Sequence, residues 1–191
     1  MAEAEAAAQR IARDAHRAAD VITRIRALLI RREPEKSGLP IAEVVREVVS
    51  LVHGEARAHQ VTIVAPYRQD LPAVLGDRVQ LQQVILNLTL NAIEAMCSVT
   101  HRARILDIGV ERHGPDYLCV KVRDCGPGLA PQHRDRIFDA FYTTKPHGMG
   151  MGLAISRSIV DAHGGSLWAT ANDDGGETFH FTLPMVSLVT D

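Results

Sequence analysis

Three amide side chains occur at four-residue intervals in the segment DRVQLQQVILNLTLNAIEAM (77–96): Gln83, Asn87 and Asn91. At that spacing they lie along one stripe of a helix whose other residues are mostly apolar. An amide oxygen is a suitable magnesium ligand where phosphates supply the negative charge. The stripe could instead bond loops or backbone inside the core, because an unpaired buried amide costs about 1–3 kcal/mol. It therefore predicts either a site for a polar ligand or a set of structural hydrogen bonds.

A second candidate site is the sequence DCGPG (124–128), which follows a segment of alternating apolar residues. That alternation predicts a strand in which Asp124 faces the core side. A buried carboxylate needs a partner, and the amino group of an adenine is one. Gly126 and Gly128 would let the backbone approach a ligand closely. A β-turn in which Asp124 bonds its own backbone explains the same residues.

A third candidate site combines polar residues with glycines that lead into a predicted helix: Thr143, Thr144, Lys145, Gly148, Gly150 and Gly152. Backbone N–H groups at the N-terminus of a helix form an anion site. The segment is not a Walker loop, because the order GxxxxGK[ST] is absent. A flexible hinge would also account for the glycines alone.

Hydrophobic periodicity indicates the elements that position these residues. Asp77 is the predicted N-cap of the amide helix. The long connection over 125–150 is of the kind that is usually either functional or disordered. The pattern predicts helices at about 41–59, 77–96 and 152–163, and strands at 61–66, 73–77, 105–111, 117–124, 166–171 and 178–184. These elements predict a sheet with helices on one face.

A heptad of Ala, Ile and Leu residues runs through residues 1–32 and predicts a long N-terminal helix that seeks a partner helix. Glu33-Pro34 ends this helix, since the residue before proline disfavours the helical conformation. We therefore expect a dimerisation helix at 1–32, a polar hinge at 33–40, a main domain at 41–186 and a tail at 187–191. A homodimer through the helix is the expected assembly, and a monomer is the alternative.

Composition excludes several classes of protein. The 191 residues are 46% hydrophobic and 23% charged, unlike disordered or low-complexity chains. The net charge of −2 gives no bias toward nucleic acid. No apolar run approaches the roughly 18 residues of a membrane helix, so no membrane segment is expected. Three cysteines without a CxxC pair predict neither a disulfide framework nor a zinc site, as in a reducing cytoplasm.

Together, four segments stand in a fixed order: QQVILNLTLNAIEAM, DCGPG, IFDAFYTTK and GMGMGLAI. They resemble the N, G1, F and G2 boxes of the ATP-binding catalytic domain of sensor histidine kinases, in the GHKL ATPase superfamily. The resemblance covers about residues 37–184. It implies an α+β fold of the Bergerat type, an α/β sandwich in which a mixed sheet carries helices on one face. It also implies ATP with Mg²⁺ as cofactors, ADP as a further ligand and a response regulator as partner. The implied location is the bacterial cytoplasm, and a full-length kinase could be anchored in the membrane.

The resemblance implies roles for individual residues. Asn91 matches the magnesium ligand, Asn87 matches an asparagine beside the nucleotide, and Asp124 matches the acceptor for the adenine amino group. Thr178 matches a threonine that joins Asp124 at the base. Gly126 and Gly128 belong to the same adenine site. The phosphate side would comprise Thr143, Thr144, Lys145, Gly148, Gly150, Met151, Gly152 and Leu153.

The catalytic candidates are Gln83, Asn87 and Lys145. Gln83 stands where ATP-hydrolysing relatives place a glutamate, and an amide cannot take a proton from water, so transfer to a protein is favoured over hydrolysis. No histidine has the acidic neighbour and nearby proline of the family's phosphoacceptor; His16 is followed by Arg17. The helix at 1–32 resembles the second helix of the kinase's dimerisation hairpin, so the first helix, which carries the acceptor histidine, is expected to be missing from this chain, and no self-phosphorylation is expected. The alternatives are a serine-directed GHKL kinase that binds its partner like an anti-sigma factor, and a non-catalytic nucleotide-gated scaffold.

Overall fold

A computed structural model of the chain describes residues 36–66, 70–134, 136–145 and 148–186. The predicted dimerisation helix at 1–32 and the predicted tail at 187–191 lie outside the described residues. None of the helices within the described ranges is long and apolar enough to span a bilayer.

The described elements are, in chain order, β1 (Ser37–Leu39), α1 (Ile41–Ala58), β2 (Val61–Val64), β3 (Val74–Gly76), α2 (Arg78–Met96), β4 (Arg104–His113), β5 (Tyr117–Arg123), α3 (Pro131–Arg134), α4 (Gly152–Ala162), β6 (Leu167–Ala171) and β7 (Glu177–Pro184). Five strands form one sheet in the order β2-β4-β5-β7-β6, and β1 pairs with β3 in a separate two-stranded sheet. In the larger sheet β2 is parallel to β4, and every other pairing is antiparallel. The sheet is therefore mixed, as expected.

The core lies between one face of this sheet and the helices. Helix α1 contacts β2 and β4, α2 contacts β4 and β5, and α4 contacts β6 and β7. Alternate residues of the three central strands face the helices and are each at most 8% exposed: Leu106, Ile108, Val110, Leu118, Val120, Val122, Phe179, Phe181 and Leu183. The opposite face of these strands, called the outer face below, carries Asp107, Glu111, Lys121 and Arg123. The α+β fold with helices on one face is thus confirmed.

Helix α2 begins where the sequence predicts it. The Asp77 carboxylate accepts hydrogen bonds from the backbone N–H groups of Val79 (2.9 Å) and Gln80 (3.1 Å), which fixes the first turn. The apolar side of the helix is buried in the core. The amide stripe is half-buried, so it borders the core and faces outward from it. This placement makes the amides accessible to a ligand or to a neighbouring loop.

Two predicted irregular segments contain regular structure. The predicted hinge over 33–40 includes strand β1, because Ser37–Leu39 pairs with β3 and buries Leu39 to 3% exposure. The predicted connection over 125–150 includes the short helix α3. Neither element has a local signal, since β1 is defined by its distant partner and α3 is a single turn.

Candidate functional site

The carboxylate of Asp124 forms the floor of the candidate site. Asp124 directly follows β5 and is 3% exposed. Its Oδ1 accepts hydrogen bonds from the backbone N–H groups of Gly126 (2.7 Å) and Glu177 (3.3 Å). Burial raises the pKa of this carboxyl, and the two N–H groups oppose the rise only in part. Since both of these bonds end on Oδ1, Oδ2 is the oxygen that can accept a hydrogen bond from a ligand.

Only glycine fits beside this carboxylate, for reasons of space and of backbone conformation. A Cβ at Gly126 would lie 2.9 Å from Asp124 Oδ1 and 3.2 Å from the Cβ of Ala95. Gly176 has φ +95°, and a Cβ there would lie 2.2 Å from the Asp124 carbonyl oxygen. The Asp124 carbonyl also accepts a hydrogen bond from Asn172 Nδ2 at 2.8 Å. Two backbone segments therefore meet around one carboxylate, and neither leaves room for a side chain.

Arg102 ties the same loop to the β6–β7 turn. Its guanidinium donates to the carbonyl oxygens of Cys125 (2.6 Å), Gly126 (3.0 Å) and Asp174. Arg102 lies just before β4, and sequence analysis assigns it no role. Because these three carbonyls belong to two separate loops, Arg102 holds the loops together at the edge of the site.

The amide stripe of α2 lies against the N-terminus of α4. Asn87 Nδ2 donates to Ser156 Oγ at 3.0 Å, and Ser156 is 1% exposed. A Cβ at Gly152 would lie 2.5 Å from Asn87 Oδ1, so only glycine permits this approach. Gln83 is half-buried one turn earlier on the same helix. The backbone N–H groups at the start of α4, where Met151 and Leu153 flank Gly152, are thereby placed next to Asn87.

Lys145 reaches the same stripe from the connecting segment. Its Nζ donates to Asn91 Oδ1 at 3.1 Å and pairs with the carboxylate of Glu94. Thr143 Oγ1 accepts a hydrogen bond from the backbone N–H of Lys145 at 3.0 Å. Thr144 is exposed beside them. The ammonium group of Lys145 is thus held at one end of the site by an amide oxygen and a carboxylate.

The glycines before α4 allow this part of the chain to pack closely against the backbone of Tyr142. Gly150 has φ +65°, and a Cβ there would lie 2.4 Å from the carbonyl oxygen of Tyr142. The N–H of Gly148 donates to the carbonyl of Lys145 at 3.2 Å. The structure therefore brings together Asn87, Asn91 and Lys145 with the α4 N-terminus, as the sequence motifs predict.

Thr178 lies apart from the Asp124 carboxylate. In the β5–β7 ladder Thr178 pairs with Arg123, so its side chain shares the outer face with Arg123 and not the face of Asp124. Its hydroxyl donates to Asn172 Oδ1 at 2.6 Å, and the residue lines an outer-face pocket of about 540 Å³. The prediction that Thr178 joins Asp124 at the base is therefore wrong, since successive strand residues face opposite sides.

Glu177 takes the inward position next to Asp124 instead. It is 2% exposed. Its carboxylate accepts hydrogen bonds from Arg134 Nε (2.9 Å) and from the backbone N–H of Leu129 (3.1 Å). A buried acid paired in this way fixes the start of the 129–145 segment to the floor of the site. The signal was available in ETFHFTLP (177–184), where Glu177 shares the parity of Phe179.

Most of the described part of the chain matches one known protein family. Residues 76–187 match the family described as histidine kinase-, DNA gyrase B-, and HSP90-like ATPase. The chain is 40% identical over 180 residues to the sensor protein FixL of Bradyrhizobium diazoefficiens, covering 94% of this chain and 35% of FixL. It spans between 19% and 35% of the length of the first curated relatives that it matches.

Two solved structures share the fold. Full-length ShkA in complex with AMPPNP has a TM-score of 0.74 and 29% identity, covering 87% of this chain and 34% of ShkA. Histidine kinase ThkA in complex with the response regulator TrrA has a TM-score of 0.71 and 27% identity, covering 90% of this chain and 49% of ThkA.

The raised pKa of Asp124 predicts how a neutral substitute affects stability. The folded chain holds the Asp124 proton more tightly than the unfolded chain, so wild-type stability falls as pH rises from about 4, the ordinary carboxyl pKa, through the folded pKa. Asp124→Asn removes this loss while its Oδ1 still accepts the two backbone bonds. We expect the free energy of unfolding of the variant, measured in urea, to equal or exceed that of wild type at pH 7. The advantage should shrink toward pH 4.

The control is Asp161→Asn, which replaces an exposed carboxylate on α4 and should show no such pH dependence. A variant at Asp124 that is less stable than wild type by the same amount at both pH values would contradict the effect of burial.

Proposed function

Because the chain belongs to the family of histidine kinase-, DNA gyrase B-, and HSP90-like ATPases, we propose that it is the ATP-binding catalytic part of a two-component sensor histidine kinase. It transfers the γ-phosphoryl group of Mg-ATP to a histidine on a dimerisation hairpin. The observation that carries this proposal is that one site has a buried acceptor, Asp124, at one end and the Lys145 ammonium on the amide stripe at the other end.

The base end of the site suits adenine. Asp124 Oδ2 accepts a hydrogen bond from the exocyclic amine, while Gly126 and Glu177 hold Oδ1 through their N–H groups. Because both N–H groups point at Oδ1, the orientation of the carboxylate is fixed before the nucleotide arrives. Glycine at 126 and 128 lets the backbone pack closely against Ala95 and Gly176 beside this carboxylate. The chain therefore recognises the amine by a preorganised acceptor.

The phosphate end of the site combines the α4 N-terminus with Lys145. The N–H groups beside Gly152 and the positive end of the helix dipole attract anions. The Lys145 ammonium, which pairs with Glu94 and Asn91, moves onto the phosphates when nucleotide binds. Gln83 offers no base to activate water, so the γ-phosphoryl group is preserved for transfer to a protein side chain.

The residues near Asn91 also fit a magnesium ion. Asn91 Oδ1 and the Glu94 carboxylate are hard oxygen donors that already hold a cation, the Lys145 ammonium. Mg²⁺, when bound, neutralises the charge of the phosphates. Asn91 would be its direct ligand, and Asn87 would orient the adjoining phosphate with its half-buried amide.

Partners and assembly follow from the same proposal. ThkA, a structural neighbour, is described in complex with a response regulator, and we propose a response regulator as the partner of the kinase that contains this chain. The heptad over 1–32 supports a homodimer, which sedimentation at rising chain concentration would detect, and a chain that remains monomeric would refute it. The relatives are bacterial proteins, and the need for ATP favours a cytoplasmic location.

Asp124→Asn should weaken ATP binding roughly tenfold to a hundredfold, as expected for a lost bond to a charged acceptor. The two backbone N–H groups still donate to Oδ1 of the asparagine, so its NH₂ group takes the place of Oδ2. Two hydrogen-bond donors, this NH₂ group and the adenine amine, then face each other. Titration calorimetry with ATP and Mg²⁺ measures this change, with Asp161→Asn as the control. Unchanged affinity would reject the adenine assignment, and the urea measurement above separates lost binding from lost folding.

Asn91→Ala should lower the affinity for ATP about tenfold when Mg²⁺ is present, equivalent to about 1.4 kcal/mol, and far less in EDTA. The reason is that the variant removes a ligand of the ion and leaves the base site intact. Gln82→Ala, on the same helix but off the stripe, is the matched control. Equal losses with and without Mg²⁺ would contradict the metal role.

With γ-labelled ATP alone the chain should stay unlabelled, because it contains no histidine followed by an acidic residue. Adding a separate histidine-kinase hairpin should give acid-labile label on the hairpin. Acid-stable label on a protein target would favour a serine kinase, and ATP binding without any transfer would favour a nucleotide-gated scaffold. Acid-labile label on this chain that disappears in His16→Ala would identify His16 as the acceptor.

A further inference from the structure

A cysteine, a histidine and a glutamate form a chain of contacts at the C-terminal ends of α1 and α2. Cys97 Sγ lies 3.3 Å from His59 Nδ1, and His59 Nε2 lies 3.0 Å from Glu55 Oε1. A nucleophile next to a base, which is oriented by a carboxylate, is the arrangement that activates a thiol. The contacts are separate from those of Asp124, Asn91 and Lys145, so the nucleotide site does not account for them.

The hydrogen-bond pattern defines which nitrogen can take the thiol proton. Glu55 can only accept from Nε2–H, which leaves Nδ1 as the acceptor toward the thiol. The sulfur also lies 3.5 Å from the carbonyl oxygen of Ile93 in the preceding helical turn. The S–H therefore has two acceptors, of which His59 Nδ1 is the closer and the only one that can carry the proton away.

Arg104 joins the backbone segments that carry the thiol and the imidazole. Its guanidinium donates to the carbonyl oxygens of His59 (2.6 Å), Cys97 (3.3 Å) and Val99 (2.9 Å). One side chain thus joins the ends of both helices. It also places a positive charge at the C-terminus of α2, where the helix dipole would otherwise oppose a thiolate.

Exposure distinguishes Cys97 from the other cysteines. Cys97 is exposed, whereas Cys119 is buried and its burial raises the pKa of the thiol to about 11. Cys125 donates its S–H to the carbonyl oxygen of Ala103 at 3.2 Å. An exposed His–Glu pair contributes little to stability, with 40% and 54% of these side chains accessible. Its geometry is better explained by an effect on the thiol.

We propose that Cys97 is a site of reversible thiol–disulfide exchange with small disulfides such as oxidised glutathione. His59 Nδ1 takes the thiol proton, and the Cys97 thiolate attacks one sulfur of the small disulfide. The original S–S bond breaks as the new one forms, and the departing thiolate takes the proton back from His59. Cys97 is oxidised to a mixed disulfide while half of the small disulfide is reduced to a thiol.

The test measures the rate at which oxidised glutathione modifies Cys97 in the folded chain, followed by mass spectrometry of the Cys97 peptide. The native thiol should react at least about tenfold faster than the same thiol in the urea-unfolded chain at equal pH. His59→Gln should remove most of this advantage, and Glu55→Gln should remove part of it. His53→Gln replaces an exposed histidine on α1, the helix that ends just before His59, and this matched control should react like wild type.

Circular dichroism of each variant shows whether it is folded, and Glu55→Gln provides the test if His59→Gln does not fold. A native rate at or below the unfolded rate, or folded variants at both His59 and Glu55 that keep the wild-type rate, would overturn the proposal. Cys97→Ser, which should show no glutathione on the peptide, confirms the assignment.

Discussion

The buried carboxylate of Asp124 is the constraint on which the site depends. A charge with 3% exposure is costly unless the surroundings satisfy it, and here two backbone N–H groups satisfy only Oδ1. Gly126 and Gly176 must be glycine so that the backbone can come this close. Asn172 and Arg102 then hold the two loops that supply these contacts. The protein keeps one acceptor desolvated and oriented, which is what recognition of a single amine requires.

At the other end of the site the oriented group is a positive charge, the ammonium of Lys145. Lys145 belongs to the segment that follows the floor, yet its ammonium lies on the α2 stripe against Asn91 and Glu94. The same oxygens can hold the lysine or a metal ion, and the same lysine can pair with a carboxylate or a phosphate. Glu177 connects the floor to the start of this segment, because it donates its backbone N–H to Asp124 and its carboxylate accepts hydrogen bonds from Arg134 and Leu129. A substitution of the Glu177 side chain would therefore remove the contacts at the start of the segment that carries Lys145, while the backbone bond to Asp124 would remain.

The side chain of Arg104 joins the C-terminal ends of two helices. Arg104 binds carbonyl oxygens at the ends of α1 and α2, where a helix leaves its last carbonyl groups without partners inside the helix. By doing so it holds Cys97 beside His59, although the two are 38 positions apart in the chain. The same contact therefore completes two helices and builds a thiol–imidazole pair.

The sequence by itself determined the elements with a local period and the residues that share a face within them. The amide stripe, the cap at Asp77 and the inward direction of Asp124 all follow from spacing, because helices and strands repeat every 3.6 and 2 residues. The inward direction of Glu177 also follows from its parity with Phe179, but only the tertiary structure decided that Glu177 lies beside Asp124, since that depends on the register of β7 against β5. It also decided that Ser37–Leu39 is a strand and that Cys97 meets His59. These contacts join distant segments, and no local pattern records a distance between two parts of a chain that only the packed core brings together.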